Sequence, residues 1–222
     1  MEFLSSIIDI NSTFFEVLGY PMSYIEFFGT LSGLISVWLA TKANIHTWTI
    51  GIINVIAFFL IYYQIQLYSD MFLQVFFFGT SVLGIWQWLK KKPVENDKKI
   101  RLLHQRDQIL LSVLMIVTTL ILGYMVSQIH LYLPKYFTAP ASYPYADAFT
   151  TVLSIFATFL MAYKRVECWV LWILVDVVCI VLYFQKGVMF ISLEYFIFLF
   201  MAINGLIQWS KSIQNEKRVS IG

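Results

Sequence analysis

The sequence predicts an all-α integral membrane protein of seven transmembrane helices, built as two parallel three-helix repeats joined by a linker helix (3+1+3). Three observations carry that expectation. The 222 residues are 59% hydrophobic and only 13% charged, with a mean hydropathy of +0.75. Soluble domains sit near about 45–50% apolar and about 25% charged. Seven apolar runs, 22–41, 47–66, 70–89, 108–128, 146–163, 169–185 and 188–209, approach the roughly 20 residues a helix needs to cross a bilayer core of about 30 Å. Finally, the chain matches itself at an offset of 121 residues. Helices are expected because lipid satisfies no backbone N–H or C=O. The continuous runs also lack the alternation of a membrane barrel.

The elements follow in order. Residues 1–21, MEFLSSIIDINSTFFEVLGYP, carry acids where a secretory signal has a basic leader, and read as an amphipathic segment at the membrane interface. The first repeat covers 22–89. It opens on Ser23 and Glu26, spaced as a capping box, with Asp147 at the matching place in the second copy. A basic loop, 90–107, leads to the linker helix 108–128, whose core ILLSVLMIVTTLILGYMV has no charge. That helix is expected to pack outside both bundles and to contribute to an oligomer contact. The second repeat covers 143–210, and 211–222 forms a tail.

The duplication needs no gaps. Tyr24 falls on Tyr145, Trp48 on Trp169, Tyr62 on Tyr183, Gln64 on Gln185, Gly84 on Gly205, Gln87 on Gln208 and Trp88 on Trp209. Three helices reverse the direction of the chain, so a directly joined copy would be inverted; one extra helix makes the copies parallel. Parallel repeats are a transporter plan, with substrate held between the halves near the midplane. If the first span begins outside, thirteen Lys and Arg lie on the inner side, and only Lys135 and Lys186 lie outside. The positive-inside rule then puts the N-terminus outside and the C-terminus in the cytoplasm. The net charge of +2 is thereby a topology signal, and nucleic acid is not an expected partner.

Polar residues within the spans mark candidate sites, because each must face protein or a watery cavity. Trp169, Trp172 and Asp176 share one helix face by their i, i+3, i+7 spacing. Asp176 lies about 10 Å into its span. Glu194 and Tyr195 occupy the last span, with Asn204 and Gln208 further along it; Asn54 and Gln74 belong to the first repeat. No Lys or Arg lies within a span to neutralise Asp176 or Glu194, so a proton, water or a cationic ligand is expected to accompany them. Acids and amides beside Trp and Tyr suit an aromatic cation bearing hydroxyls. Some residues have a second reading. Trp88 and Trp209 border basic loops and read first as interfacial anchors. Trp48 and Trp169 fit anchoring or ligand stacking alike, and Asn54 and Asn204 fit interhelical hydrogen bonding. Asp70 fits a helix-dipole role or a pocket rim. Cys168 and Cys179, and His46, His104 and His130, have no metal-binding spacing, and no cofactor is expected.

The run WVLWILVDV, preceded by DAFTTVLSIFATFLMAYKRVECW and followed by EYFIFLFMAINGLIQW, resembles the Pnu family of bacterial vitamin transporters. WTIGIINVIAFF and LYSDMFLQVFFFGTSVLGIWQW carry the same likeness in the first repeat, so that it spans 22–210. The resemblance implies a homotrimer in the bacterial inner membrane, related to the SWEET sugar carriers. It implies facilitated diffusion of nicotinamide riboside, as in the PnuC branch, with trapping by a cytoplasmic kinase. Trp169, Trp172 and Tyr195 would then frame the pyridinium. Asn54, Gln74, Asn204 and Gln208 would bond the carboxamide or ribose, and Asp176 and Glu194 would supply negative potential or position those amides. Thiamine, another cationic aromatic, and proton-coupled transport remain open.

Other seven-span classes fit less well. A retinal protein needs a Schiff-base lysine in its last span, and 188–209 has none. An intramembrane protease needs a paired Asp or a Ser–His arrangement at depth, and no span offers either. A signalling receptor does not require the duplication. The expected activity is transport, not catalysis.

Overall fold

The computed structural model describes residues 7–17, 19–64, 68–90, 100–132, 140–141, 143–185 and 189–219. They form a short antiparallel hairpin, β1 (Thr13–Val17) and β2 (Tyr20–Ser23). Seven helices follow: α1 (Tyr24–Thr41), α2 (His46–Gln64), α3 (Tyr68–Leu89), α4 (Gln105–Tyr132), α5 (Pro144–Ala162), α6 (Glu167–Gln185) and α7 (Met189–Val219). Six contain an apolar stretch long enough to span a bilayer, and α3 adds a shorter apolar helix, Leu73–Leu89. Most of the basic loop, 91–99, lies outside the described residues, as do Lys135, Lys186 and the side chain of Asp70. The chain divides into two compact units, Met1–Lys98 and Lys99–Gly222.

Two boundaries differ from expectation. The tail beginning at residue 211 continues α7 to Val219, because no Gly or Pro follows Gly205 until Gly222 and Lys, Gln and Glu are good helix formers. The segment before α1 contains strands. Gly19, at φ +83°, turns the chain between β1 and β2, a backbone position that glycine tolerates. Phe14 and Phe15 lie against Tyr24 and Phe27 of α1, with ring centroids 4.4 and 5.3 Å apart for Phe14–Tyr24 and Phe15–Phe27.

The capping box at Ser23 and Glu26 forms as expected: each side chain bonds the backbone N–H of the other. Tyr20 Oη donates to Glu26 Oε1 at 2.7 Å. Burial and that carboxylate push the Tyr20 phenol up to about 12, which keeps it a donor at neutral pH. Asp147 sits in the first turn of α5, but the N-cap there, Tyr143, makes no side-chain cap bond. The start of α5 therefore has the acid without the box.

Gln64, at the end of α2, ties down the N-terminal segment. Its Oε1 accepts from Ile10 N–H at 3.0 Å, and its Nε2 donates to Ile8 O at 2.9 Å. Gln64→Leu is therefore expected to abolish slow hydrogen exchange at the Ile10 amide while the helices keep theirs. Unchanged protection at Ile10 would show that the tie carries no stability.

Within each unit the same turn joins corresponding helices. After α1, Asn44 N–H donates to Leu39 O and Ala43 N–H to Ala40 O, with Ala43 at φ +49°. After α5, Arg165 N–H donates to Leu160 O and Lys164 N–H to Met161 O, with Lys164 at φ +53°. A left-handed residue just past a helix end, closing a bond back over five residues, is a Schellman-type stop.

A second feature recurs with the same dimensions. Trp48 of α2 meets Trp88 of α3 edge-on, centroids 5.6 Å apart at 88°, and Trp169 of α6 meets Trp209 of α7 at 5.6 Å and 88°. Each first indole lies on a glycine: a Cβ on Gly84 would clash with Cδ2 and Cε2 of the Trp48 ring, and one on Gly205 would lie 2.6 Å from Trp169 Cδ2 and Cε2. Trp88 and Trp209 are 3% and 1% exposed, which overturns their reading as interfacial anchors. The exposed tryptophans at helix ends in the first unit are Trp38 and Trp86. Lys42 Nζ lies 3.6 Å from the Trp38 ring centroid, and Lys90 Nζ lies 3.5 Å from that of Trp86. An exposed indole carrying an ammonium one turn away suits the membrane–water boundary.

In the second unit, α4 lies along α5, where Gly123 leaves room for the Tyr145 ring. Most of its apolar side chains are exposed, Leu110 at 67% among them. The strand-like stretch before α4 is docked on the α5–α6 turn. Arg101 N–H donates to Lys164 O, Val166 N–H donates to Arg101 O, and Glu167 Oε1 accepts from Leu103 N–H and Gln108 Nε2.

Candidate functional site

In the second unit the predicted residues fall on α6 and α7. A core of Leu153, Ala157, Leu171, Val175 and Cys179 backs them, with Trp172, Tyr183 and Tyr195 packed against it. Tyr183 and Tyr195 stack almost parallel, centroids 5.6 Å apart at 9°. Trp172 is half-buried, and its indole N–H has no acceptor among the described residues. Asp176, one turn beyond Trp172, is 3% exposed, and no described residue hydrogen-bonds its carboxyl group. Glu194, beside Tyr195, is half-buried. Asn204 is exposed on α7 and accepts from Gln208 Nε2 at 3.2 Å. The apolar stretches of α6 and α7 thus carry flat rings, an unmatched N–H and carboxyl groups.

Trp48 and Trp169 take a different place. They are 5% and 1% exposed, clasped between a glycine and a second indole, and so close the ends of α2/α3 and α6/α7. In the first unit, Asn54 Nδ2 donates to Gly29 O at 2.9 Å, the interhelical role that was its second reading. Gln74 of α3 is 8% exposed and has no hydrogen-bond partner among the described residues.

Tyr183 was absent from the sequence candidates, although its alignment with Tyr62 was a signal. Ser81, also outside the sequence candidates, lies on the same α3 face as Gln74 and is 5% exposed.

Comparison with known proteins places this arrangement. The family model described as nicotinamide mononucleotide transporter matches residues 23–211. The chain belongs to the nicotinamide mononucleotide transporter family. Within that family it is similar to the nicotinamide riboside transporter PnuC of Escherichia coli (strain K12), at 33% identity over 214 residues, covering 89% of this chain and 90% of that protein. It is also similar to the riboflavin/roseoflavin transporter RibM of Streptomyces davaonensis, 22% identical over 211 residues, with 94% of this chain and 95% of that protein covered. In structure it resembles the crystal structure of the vitamin B3 transporter PnuC, with a TM-score of 0.66 and 23% identity. That match covers 86% of this chain and 83% of the other, and shows that the two share a fold.

Proposed function

We propose that this membrane protein carries nicotinamide riboside across the bacterial inner membrane, with its N-terminus outside and its C-terminus in the cytoplasm. The similarity to the Escherichia coli nicotinamide riboside transporter over nine-tenths of both chains carries the reading. The chemistry of α6 and α7 agrees with it. Nicotinamide riboside is a flat pyridinium cation, and Trp172 offers it an indole while Asp176 and Glu194 offer carboxyl groups. Tyr195, stacked on Tyr183, frames the ring, and Asn204 and Gln208 bond amide or hydroxyl groups. A nucleotide suits these helices less: a phosphate asks for Arg or Lys, and none lies within an apolar span.

The matching turns and tryptophan clasps at an offset of 121 residues support a 3+1+3 chain of parallel repeats. Transport is downhill, the chain assembles as a homotrimer through surfaces such as α4, and a cytoplasmic kinase retains the product by adding a charge that the membrane excludes. Similarity to the riboflavin/roseoflavin transporter supports one alternative cargo, an uncharged flavin.

Calorimetry on the purified protein tests the reading. Saturable binding of nicotinamide riboside is expected, with weaker competition from thiamine, riboflavin and nicotinamide mononucleotide. Binding of riboflavin or the mononucleotide in preference to the riboside would replace it. Uptake that stops when the proton gradient is collapsed would move the chain to the proton-coupled class.

A further inference from the structure

The first unit carries two exposed indoles at places where the second has none. Trp38 and Lys42 stand at the end of α1, and Trp86 and Lys90 at the end of α3, each lysine four residues after its tryptophan. At the 121-residue offset these positions hold Phe159 and Tyr163, and Ile207 and Lys211. Neither counterpart joins an indole to an ammonium.

The two pairs lie at one end of the unit. A short turn carries the chain from Thr41 of α1 into α2 at His46, and Trp88, near the end of α3, meets Trp48 in the first turn of α2. The closing turns of α1 and α3 therefore flank the same end of α2. Trp38 is 48% exposed and Trp86 53%, and each has its lysine ammonium resting on the ring. A ring face takes up one side of an ammonium and leaves the other N–H groups for a further acceptor. Neither lysine has a carboxylate partner among the described residues. Residues 27–69 and 71–94 contain no Asp or Glu at all, and Lys91 and Lys92 follow Lys90 directly. A lysine at a helix end complements the macrodipole unaided; the indole adds an apolar plate suited to the headgroup level of a bilayer.

We propose that the Trp38–Lys42 and Trp86–Lys90 pairs form a docking surface for the headgroups of anionic phospholipids. Each indole lies against the lipid at the headgroup level, and the ammonium on it meets the lipid phosphate. An ammonium already resting on a ring has less side-chain freedom to lose when it meets a phosphate. The same arrangement selects the headgroup. With a lysine on the ring, that face is closed to the choline of a zwitterionic lipid, and the uncompensated charge favours a lipid with no cation of its own. The surface belongs to the first unit by itself. In the second, Lys211 stands alone with Ile207 one turn before it.

The test reads quenching of tryptophan fluorescence in the full-length protein. The protein is reconstituted in phosphatidylcholine vesicles containing brominated phosphatidylglycerol or brominated phosphatidylcholine at the same mole fraction. Trp48, Trp88, Trp169 and Trp209 are buried, so the exposed Trp38 and Trp86 dominate the lipid-dependent signal. At low salt the phosphatidylglycerol is expected to be about fivefold more effective, the effect of one lysine near an anionic surface. Lys42→Gln combined with Lys90→Gln should abolish this preference and leave quenching by the phosphatidylcholine in place. Lys211→Gln, which removes an ammonium with no indole beneath it, should keep the preference. Each single variant, Lys42→Gln or Lys90→Gln, should lose part of it, which keeps the proposal falsifiable should the double variant not fold. Three results would overturn the docking surface: equal quenching by the two lipids in the unaltered protein, a preference that survives in the double variant, or one that Lys211→Gln removes to the same extent.

Discussion

Gly205→Ala is expected to lower the melting temperature of the purified protein sharply, and Gly205→Val to prevent its accumulation. The added Cβ would lie 2.6 Å from two ring carbons of Trp169. That indole is 1% exposed and braced edge-on by Trp209, so it has nowhere to move. Overpacking of a filled core costs about 1–3 kcal/mol or more. The control is on another helix: Gly79 has nothing within 4 Å of its Cβ position. Gly79→Ala should be neutral or stabilise by up to about 1 kcal/mol through helix propensity. Equal melting shifts for Gly79→Ala and Gly205→Ala would show that the clasp is loosely packed.

The second large effect concerns binding. Trp172→Ala is expected to weaken nicotinamide riboside binding by about 10- to 100-fold, the loss of one desolvated cation–π face worth about 2 kcal/mol. Melting should change less than for Gly205→Ala, because Trp172 is half-buried and packs at the edge of its core. Trp172→Phe should recover part of the affinity, since it keeps a ring face. An unaltered dissociation constant in Trp172→Ala would remove this residue from the binding site and weaken the case for the pyridinium as the recognised group.

Much of the fold could be read from the residues because membrane helices are announced by composition, and because the 121-residue offset survives in Trp48, Trp88, Gly84 and their counterparts. Burial was harder. Trp88 and Trp209 border basic loops, and proximity to charge suggested an anchor; which side of the helix each occupies decides the matter, and Gly84 and Gly205, four residues earlier, were the available clue. The lysine-capped Trp38 and Trp86 take the boundary position instead. The hairpin before α1 was missed because its strands have only 5 and 4 residues, too short for periodicity to register. Asp176 stood out because a carboxyl group in an apolar run is costly. Ser81 did not, since a serine in a membrane helix ordinarily bonds its own backbone, and only the structure shows that this one does not. At the 121-residue offset the counterpart of Asp176 is Val55, so the carboxyl group is not among the matched residues.

The tryptophan clasps also set how a helix pair can move. In the second unit α6 and α7 are pinned at Trp169, Gly205 and Trp209, while Tyr183 and Tyr195 meet toward the far end as parallel plates. Such a pair works like tweezers, with its pivot at the glycine and its tips at the tyrosines. Fourteen residues separate Trp169 from Tyr183, a lever of about 21 Å at 1.5 Å per residue, so a tilt of about 3° displaces the tip by about 1 Å. A small rotation at the buried indoles is thereby magnified where the rings meet.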